Sequence, residues 1–594
     1  MTVYKAPLRD MRFCMTELFD IGALAKLPGY EEATPDLFAS VLEEGGKICE
    51  EVLFPLNRNG DEEGCHFENG VVRTPKGTKE AYDAFCQGGW PALACDPAYG
   101  GQGLPRSLNF AMMEMICSSF FSFGFFPGLT LAAYEAIHLH GSDAQKQTYL
   151  PKLIDGSWTG TMCLTEPHCG TDLGQVRTKA EPAGDGAYRI TGTKIFISAG
   201  EQDLTANIIH LVLAKIPGGP PGTAGISLFI VPKFLVNSDG TLGQRNGVRC
   251  GSIEHKMGIK GAPACVMNFD DAEGYLVGEP HKGMRAMFTM MNGARLGVGL
   301  QGLGVGETAY QSARAYAADR LQGRSVKGAK FPDKPADPII VHPDIRRMLL
   351  TMRAYNEAGR ALATWVAIEL DRSAKHPDPE IRLEAEDFVG LMTPIVKSML
   401  SDNGYAAANL GMQVMGGHGY IRENGMEQLV RDCRIAMIYE GTNSIQALDL
   451  VGRKLPMHMG RQLRRFFHPV DAYIRERQDK PALQEFVAPL AKAFGRLQQA
   501  SVLILQKGAA DPEEGAAAAT DYLRLFGLVA FAYLWARMAE ISLGKTAGPE
   551  ENFYQAKLAT ARFFMARILP ESSALFAAVN AGAGTLMALE AEAF

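Results

Sequence analysis

A mainly α-helical chain with a central β domain and an additional C-terminal helical domain is the fold class this sequence predicts, on three observations. Apolar spacing is helical from Pro35 to about Gly156, strand-like from Thr159 to about Gly278, and helical again from Met284 onward. Helices, then strands, then helices is not the alternating pattern of a parallel α/β sheet. The 594 residues also exceed one hydrophobic core, at roughly 150 residues per domain. The expected division is 1–158 (helical), 159–280 (β), 281–460 (helical) and 461–594 (helical).

In the first part, "PDLFASVLEEGGKICEEVLFPL" and "AQKQTYLPKLIDG" carry the helical period, and the Gly/Pro-rich "DPAYGGQGLP", Asp96 to Pro105, is a loop. The middle part breaks into short β-rich runs punctuated by Gly, Pro and Asp: "AYRITGTKIFIS", "IIHLVLAKI", "GISLFIVPKFLV" and "ACVMNFDDAEGYLVG". Helix resumes at Met284 and continues to about Leu455, with Pro343 placed to open one long helix at its first turn. The last part shows helix starts with acidic first turns at Asp511, Gly548 and Leu569. Its most apolar run, Leu525 to Ala536, is fenced by Arg524 and Arg537; twelve residues are too few to span a bilayer, so it reads as a buried core helix.

With 47% hydrophobic and 21% charged residues the composition is that of a soluble globular protein. A formal charge of −7 gives no reason to expect nucleic acid or an anionic membrane as partner. Eleven scattered cysteines without a CxxC pair suggest reduced intracellular thiols. Cys163, His168 and Cys169 lie close together without a zinc spacing, so packing rather than metal is expected of them. The N-terminal "MTVYKAPLRDMRF" has no apolar core behind its basic residues and is not a signal peptide, leaving a cytoplasmic protein as the expectation.

"GVGLQG", Gly297 to Gly302, satisfies the G-x-G-x-x-G dinucleotide fingerprint, but it follows the helical "MRAMFTMMNGARL" rather than a strand, and Gln322 stands where a ribose-binding acid belongs. These glycines are expected to allow close helix packing instead. "IAMIYEGTNSIQ", Ile435 to Gln446, places a lone carboxylate, Glu440, behind Ile435, Met437 and Ile438. Held among them it would be poorly solvated and its proton affinity raised, the condition of a general base.

Four blocks are more specific together than singly: "CLTEPHCGTD" (Cys163 to Asp172), "GTKIFISAG" (Gly192 to Gly200), "QVMGGHGY" (Gln413 to Tyr420) and "YEGTNSIQ" (Tyr439 to Gln446). In this order and spacing the chain resembles the acyl-CoA dehydrogenase family over about Leu42 to Leu455. The resemblance implies an N-terminal helical domain, a barrel-like β domain and a C-terminal four-helix bundle. It also implies FAD as cofactor, an acyl-CoA substrate, an electron-transfer flavoprotein as acceptor and a homo-oligomer, here a dimer.

A flavin ring needs hydrogen-bond donors along its polar edge and apolar walls elsewhere. Leu164 and Thr165, with Ser198 and Phe196 on the next block, fit that need, and the family's contacts with the flavin ring fall on these positions. Phe196 stands where the family usually has tryptophan. Gly416 and Gly417 offer unobstructed backbone N–H groups, and Arg320 offers a fixed positive fork for a pyrophosphate. By resemblance, Arg320, Gln413, Gly416 and Gly417 reach the flavin of a neighbouring subunit, and Thr442 approaches its diphosphate. The family's "ERxxFG" has become "DRLQG" here, without the aromatic.

Glu440 resembles the catalytic base, which takes the pro-R α-proton of the acyl thioester while the β-hydrogen leaves as hydride. Gly441 leaves room for substrate against the backbone. The family's other position for the base is Ala294 in "NGARLG", which cannot serve; the adjacent Arg295 supports the glutamate's surroundings by resemblance. An acyl-CoA oxidase using O₂ would share this machinery, whereas a non-catalytic binding relative should lack the base or the flavin. The extra segment 461–594 and the N-terminal "YKAPLRDMRF" are similar to the larger bacterial branch that includes 3-(methylthio)propionyl-CoA and fatty acyl-CoA dehydrogenases. The aromatic content of that N-terminal stretch points to packing against the body of the protein or a second subunit.

Overall fold

The strand-like segment builds a seven-stranded sheet, β1 Trp158–Cys163, β2 Lys179–Gly184, β3 Ala187–Ser198, β4 Asn207–Lys215, β5 Ile226–Pro232, β6 Val248–Ile253 and β7 Ala264–Val277, with a separate hairpin of Phe234–Val236 and Leu242–Arg245. The computed structural model describes residues 2–594. The path β6-β7-β3-β2-β4-β1 alone is open, but β5 pairs antiparallel with both β7 and β4. The circuit β3-β7-β5-β4-β2 therefore closes into a barrel-like domain, with β1 and β6 left as outer strands on β4 and β7. Strand β4 shows why its sequence is continuously apolar. Ile209, Leu211 and Leu213 face the helices Phe125–His140 and Asp143–Ile154, packing near Ile137, Leu150 and Leu153, while Val212 and Ala214 enter the barrel core with Phe229 and Phe269.

This barrel and its helices form one compact unit, residues 44–297; the other comprises residues 1–43 and 298–594. Among the helices of the second unit are the long α1 Gly283–Asp319, which begins in the first unit, α2 Pro343–Lys375, α3 Pro379–Met415 and α5 Pro512–Leu543, and the shorter α4 Asn443–Asp449 and α6 Glu551–Phe563. Pro343 and Pro512 occupy first-turn positions, and the Asp511 side chain caps α5 by accepting from the Glu513 N–H. Helix is not continuous from Met284 to Leu455: irregular chain separates α1 from α2 because the buried Asp337 carboxylate gathers the backbone N–H groups of Ser325, Lys330 and Phe331 at 2.8 to 3.1 Å.

The "GVGLQG" glycines lie well inside α1, not at the turn that leads from β7 into it, where a dinucleotide fingerprint would have to stand. A Cβ on Gly302 would stand 2.3 Å from the Leu400 carbonyl oxygen and one on Gly299 2.9 Å from Val396, so both allow α1 to lie directly on α3; Gly297 faces open space. The apolar run expected to end at Arg524 and Arg537 extends well past both. Helix α5 has 32 residues, enough to cross a membrane by length, so shortness is the wrong ground for excluding a span. Burial is the sound one: 83% of its most apolar stretch is covered, with the Trp535 indole donating to the Ala354 carbonyl at 3.3 Å.

The first 43 residues group with the C-terminal helices rather than with the first helical domain where the sequence expectation put them. Buried charge is the reason. Asp10 accepts from Arg360 on α2 and Lys557 on α6; Arg360 also pairs with Glu307 at 2.9 Å, Lys557 with Glu357 at 2.8 Å, and Glu357 with Arg353 at 2.6 Å. Three acids and three bases thus neutralise one another out of water. Phe13, fully buried, meets Phe553 edge-on at 5.6 Å, so the N-terminal aromatic stretch packs on its own chain. Burial would raise the Asp10 carboxyl, but Lys557 and Arg360 outweigh it and hold it at about 2. Because the folded value lies below the ordinary one, the stabilisation is complete above about pH 4 and lost as pH falls toward 2. Replacing Asp10 by Ala leaves two buried cations short of a partner and is expected to cost about 3–5 kcal/mol, measured by guanidinium unfolding at pH 7; the gap to wild type should narrow at pH 2 to 3.

Candidate active site

In the barrel unit the first set of residues is brought to one edge by pairing between neighbouring segments. The Ile195 N–H donates to the Thr165 carbonyl at 2.9 Å, laying Leu164 and Thr165 alongside β3, and Ser198 pairs with Ala264 of β7. Beneath them Lys194, fully buried, donates to the Leu164 carbonyl at 2.9 Å and pairs with Glu166 at 2.8 Å. The Glu166 carboxylate also accepts from the N–H groups of Arg177 and Thr178 at 2.8 and 3.0 Å. Burial pushes this carboxyl up, yet the Lys194 ammonium and these donors hold it below the usual carboxylate range. The sequence reading passed over this pair; the signal was a lysine in phase with the buried Ile190 of β3, four residues before it.

The result is an unusual surface. Phe196 has φ +59° and is 60% exposed, so an apolar ring stands in solvent on a backbone conformation that L side chains disfavour. The Thr165 and Ser198 side chains beside it are half-buried. Arg295, in α1, is buried with its guanidinium 6.0 Å from the Phe288 ring centre. Glu166 also lies near His168 and Cys169, close enough to share an ion, but its carboxylate is committed to Lys194 and the His168 Nε2 contacts the Gln175 carbonyl oxygen at 2.9 Å.

In the helical unit Arg320 follows the last turn of α1. It is exposed and has no carboxylate partner among the described residues, which removes the ordinary surface ion pair as an account of it. Its carbonyl accepts from Ile339 at 2.8 Å, tying it to the loop that Asp337 organises. Gln413 lies in the last turn of α3, and Gly416 and Gly417 form the turn that follows, all three exposed; a Cβ on either glycine would meet nothing within 4 Å.

Glu440 sits in the connection that leads to α4, half-buried, with φ +57°; Gly441 follows with φ +81°. The apolar surround expected from the sequence is thinner than supposed. Ile438 is 46% exposed and Ile435 and Met437 are only partly buried, because the chain runs as a tight 3₁₀ turn from Arg434 to Met437 and turns Ile438 outward. Thr442 caps α4, its hydroxyl accepting from the Ile445 N–H at 3.3 Å. Asn443 ties the loop to α3, accepting from the buried Lys397 at 2.7 Å and donating to Ser401 and Asp402 at 3.1 and 2.6 Å. Burial, against the pull of Asn443, raises the Asp402 carboxyl. None of these supports on α3 was legible as a motif.

Family models for the N-terminal, middle and C-terminal domains of acyl-CoA dehydrogenase match residues 43–157, 161–272 and 281–455, and one described as acetyl-CoA dehydrogenase C-terminal like matches 466–590. The chain is 45% identical to 3-methylmercaptopropionyl-CoA dehydrogenase of Ruegeria pomeroyi, over 96% of this chain and 97% of the relative. It is 35% identical to a butyryl-CoA dehydrogenase of Syntrophomonas wolfei, over 96% and 95%. The structure of an acyl-CoA dehydrogenase complexed with FAD from Bacillus anthracis superposes with a TM-score of 0.73 at 22% identity, covering 96% of this chain and 90% of that one. The chain belongs to the acyl-CoA dehydrogenase family, whose enzymes dehydrogenate acyl-CoA thioesters.

Replacing Lys194 with Met strands the Glu166 carboxylate and is expected to cost about 3–5 kcal/mol in denaturant unfolding. A neutral acceptor at 166 no longer needs the ammonium, so Lys194→Met combined with Glu166→Gln should recover more than half of that loss.

Proposed function

We propose that Glu440 is the general base of this acyl-CoA dehydrogenase, removing the pro-R α-proton of the bound thioester. The supporting observation is the Glu440–Gly441 backbone: two successive residues with positive φ, one of them not glycine, held by the Gln446 side chain of α4, a helix that Asn443 ties to α3. Strain of that kind persists where a side chain must be aimed. Gly441 presents no side chain toward a substrate, and in this reading the amide N–H of Glu440 donates to the thioester carbonyl. A donor aimed at developing enolate charge is worth roughly 3 kcal/mol.

The residues present fit FAD. Exposed Phe196 offers an apolar wall for an aromatic ring, with the Thr165 and Ser198 hydroxyls and the Leu164 backbone beside it. Arg320, without an acidic partner among the described residues, and the open Gly416–Gly417 turn suit a diphosphate, with Gln413 and Thr442 as further polar contacts. Bound FAD supplies an acceptor for the β-hydrogen with its electron pair. Exposure of Arg320, Gln413 and the glycine turn on one chain supports their use by a second copy, making the enzyme a homodimer. An electron-transfer flavoprotein is the proposed final acceptor. The free, mostly buried cysteines suit a reducing cytoplasm. Relatives named for 3-methylmercaptopropionyl-CoA and butyryl-CoA support a short acyl group.

Flavin carried by the purified protein should be released on denaturation as FAD; FMN alone, or no flavin uptake after incubation with FAD, would refute that assignment. Glu440→Gln should keep FAD and bind butyryl-CoA, while anaerobic bleaching of the flavin slows by at least the roughly 10² to 10⁴-fold expected of a lost general base. Bleaching at a near-normal rate would place the base elsewhere.

A further inference from the structure

We infer that Gln446 is a positioning residue that fixes the aim of Glu440, an inference that rests on Glu440 being the base. Gln446 lies one turn into α4 and is fully buried. Its Nε2 donates to the Glu440 carbonyl and to the Gly441 carbonyl, each at 3.2 Å. These are the two residues with φ +57° and +81°.

The left-handed conformation is disfavoured for glutamate because its Cβ crowds the following carbonyl. It needs outside support, and a primary amide is suited to give it: two N–H bonds on one nitrogen, one for each carbonyl. The arrangement also dictates the orientation of the amide. Turned over, its oxygen would face two other oxygens. With the nitrogen inward, Oε1 is left buried without a partner among the described residues. A buried orphan acceptor is disfavoured, and it persists here because the amide nitrogen is committed to both carbonyls. The amide is itself anchored, since Asn443 fastens α4 to Lys397, Ser401 and Asp402 of α3. A rigid path therefore runs from α3 through α4 and Gln446 to the peptide units on either side of Gly441. Rotation of those units would swing the Cα–Cβ bond of Glu440, and a misplacement of about 1 Å in a reacting group can cost about 10²-fold in rate.

The test uses the FAD-loaded enzyme with butyryl-CoA. Gln446→Met keeps length and removes both donors; anaerobic flavin reduction should slow by about tenfold or more, with FAD content unchanged and butyryl-CoA affinity within about twofold. Gln446→Glu, whose carboxyl facing two carbonyl oxygens retains its proton, should recover part of the rate and lose that recovery as pH rises. The decisive variant combines Gln446→Met with Glu440→Gln. If Gln446 acts only through the Glu440 carboxylate, the double variant is no slower than Glu440→Gln alone. Losses that multiply, a Gln446→Met enzyme of normal rate, or one that sheds FAD would overturn the inference while leaving Glu440 as the base. A Glu440→Gln enzyme of normal rate would instead remove the reading beneath it.

Discussion

Helix α1 can lie on α3 only because nothing but hydrogen stands between them at Gly302 and Gly404. A Cβ on Gly404 would fall 2.1 Å from the Gly302 carbonyl oxygen, and one on Gly302 would fall 2.6 Å from the Ser401 Cα. The contact sets the depth and register at which α3 sits, and the candidate site of the helical unit hangs from α3. Lys397, Ser401 and Asp402 hold Asn443, and so the glutamate loop; the far end of the same helix carries Gln413 and the Gly416–Gly417 turn. One close approach between two backbones thus governs both ends of the proposed machinery.

Buried charge does the complementary work. In the barrel unit a single lysine–glutamate pair clamps the segment after β1 to β3, and the residues proposed to meet FAD stand on either side of the clamp. In the helical unit six neutralising charges fasten the N-terminal segment to α1, α2 and α6. Such groups contribute little net stability compared with well-packed apolar residues, but they penalise strongly any arrangement that separates them. Their value here lies in specifying position.

The same logic reaches the backbone. Phe196 and Glu440 both adopt positive φ, and both stand at residues to which chemistry is assigned. Each is flanked by a polar network built to hold it: Lys194 with Glu166 beside the first, Gln446 and Asn443 beside the second. Local strain is tolerated where neighbouring hydrogen bonds outweigh it.

The sequence by itself determined the order of helices, barrel and helices, the proline and acidic helix starts, the packing role of Gly299 and Gly302, and the positions proposed as base and flavin contacts. Those properties are local: periodicity, capping chemistry and short motifs are written in adjacent residues. Tertiary structure alone decided that residues 1–43 join the C-terminal helices, that α5 runs 32 residues and is buried, and that Ile438 is exposed rather than packed over the glutamate loop. It also revealed Lys194, Asn443, Gln446 and Asp337 as supports. Most of these depend on which side chains meet after distant segments fold together, as when Asp10 finds Lys557; Asp337 and Gln446 act within a dozen residues, but by holding irregular backbone, which no periodicity signals.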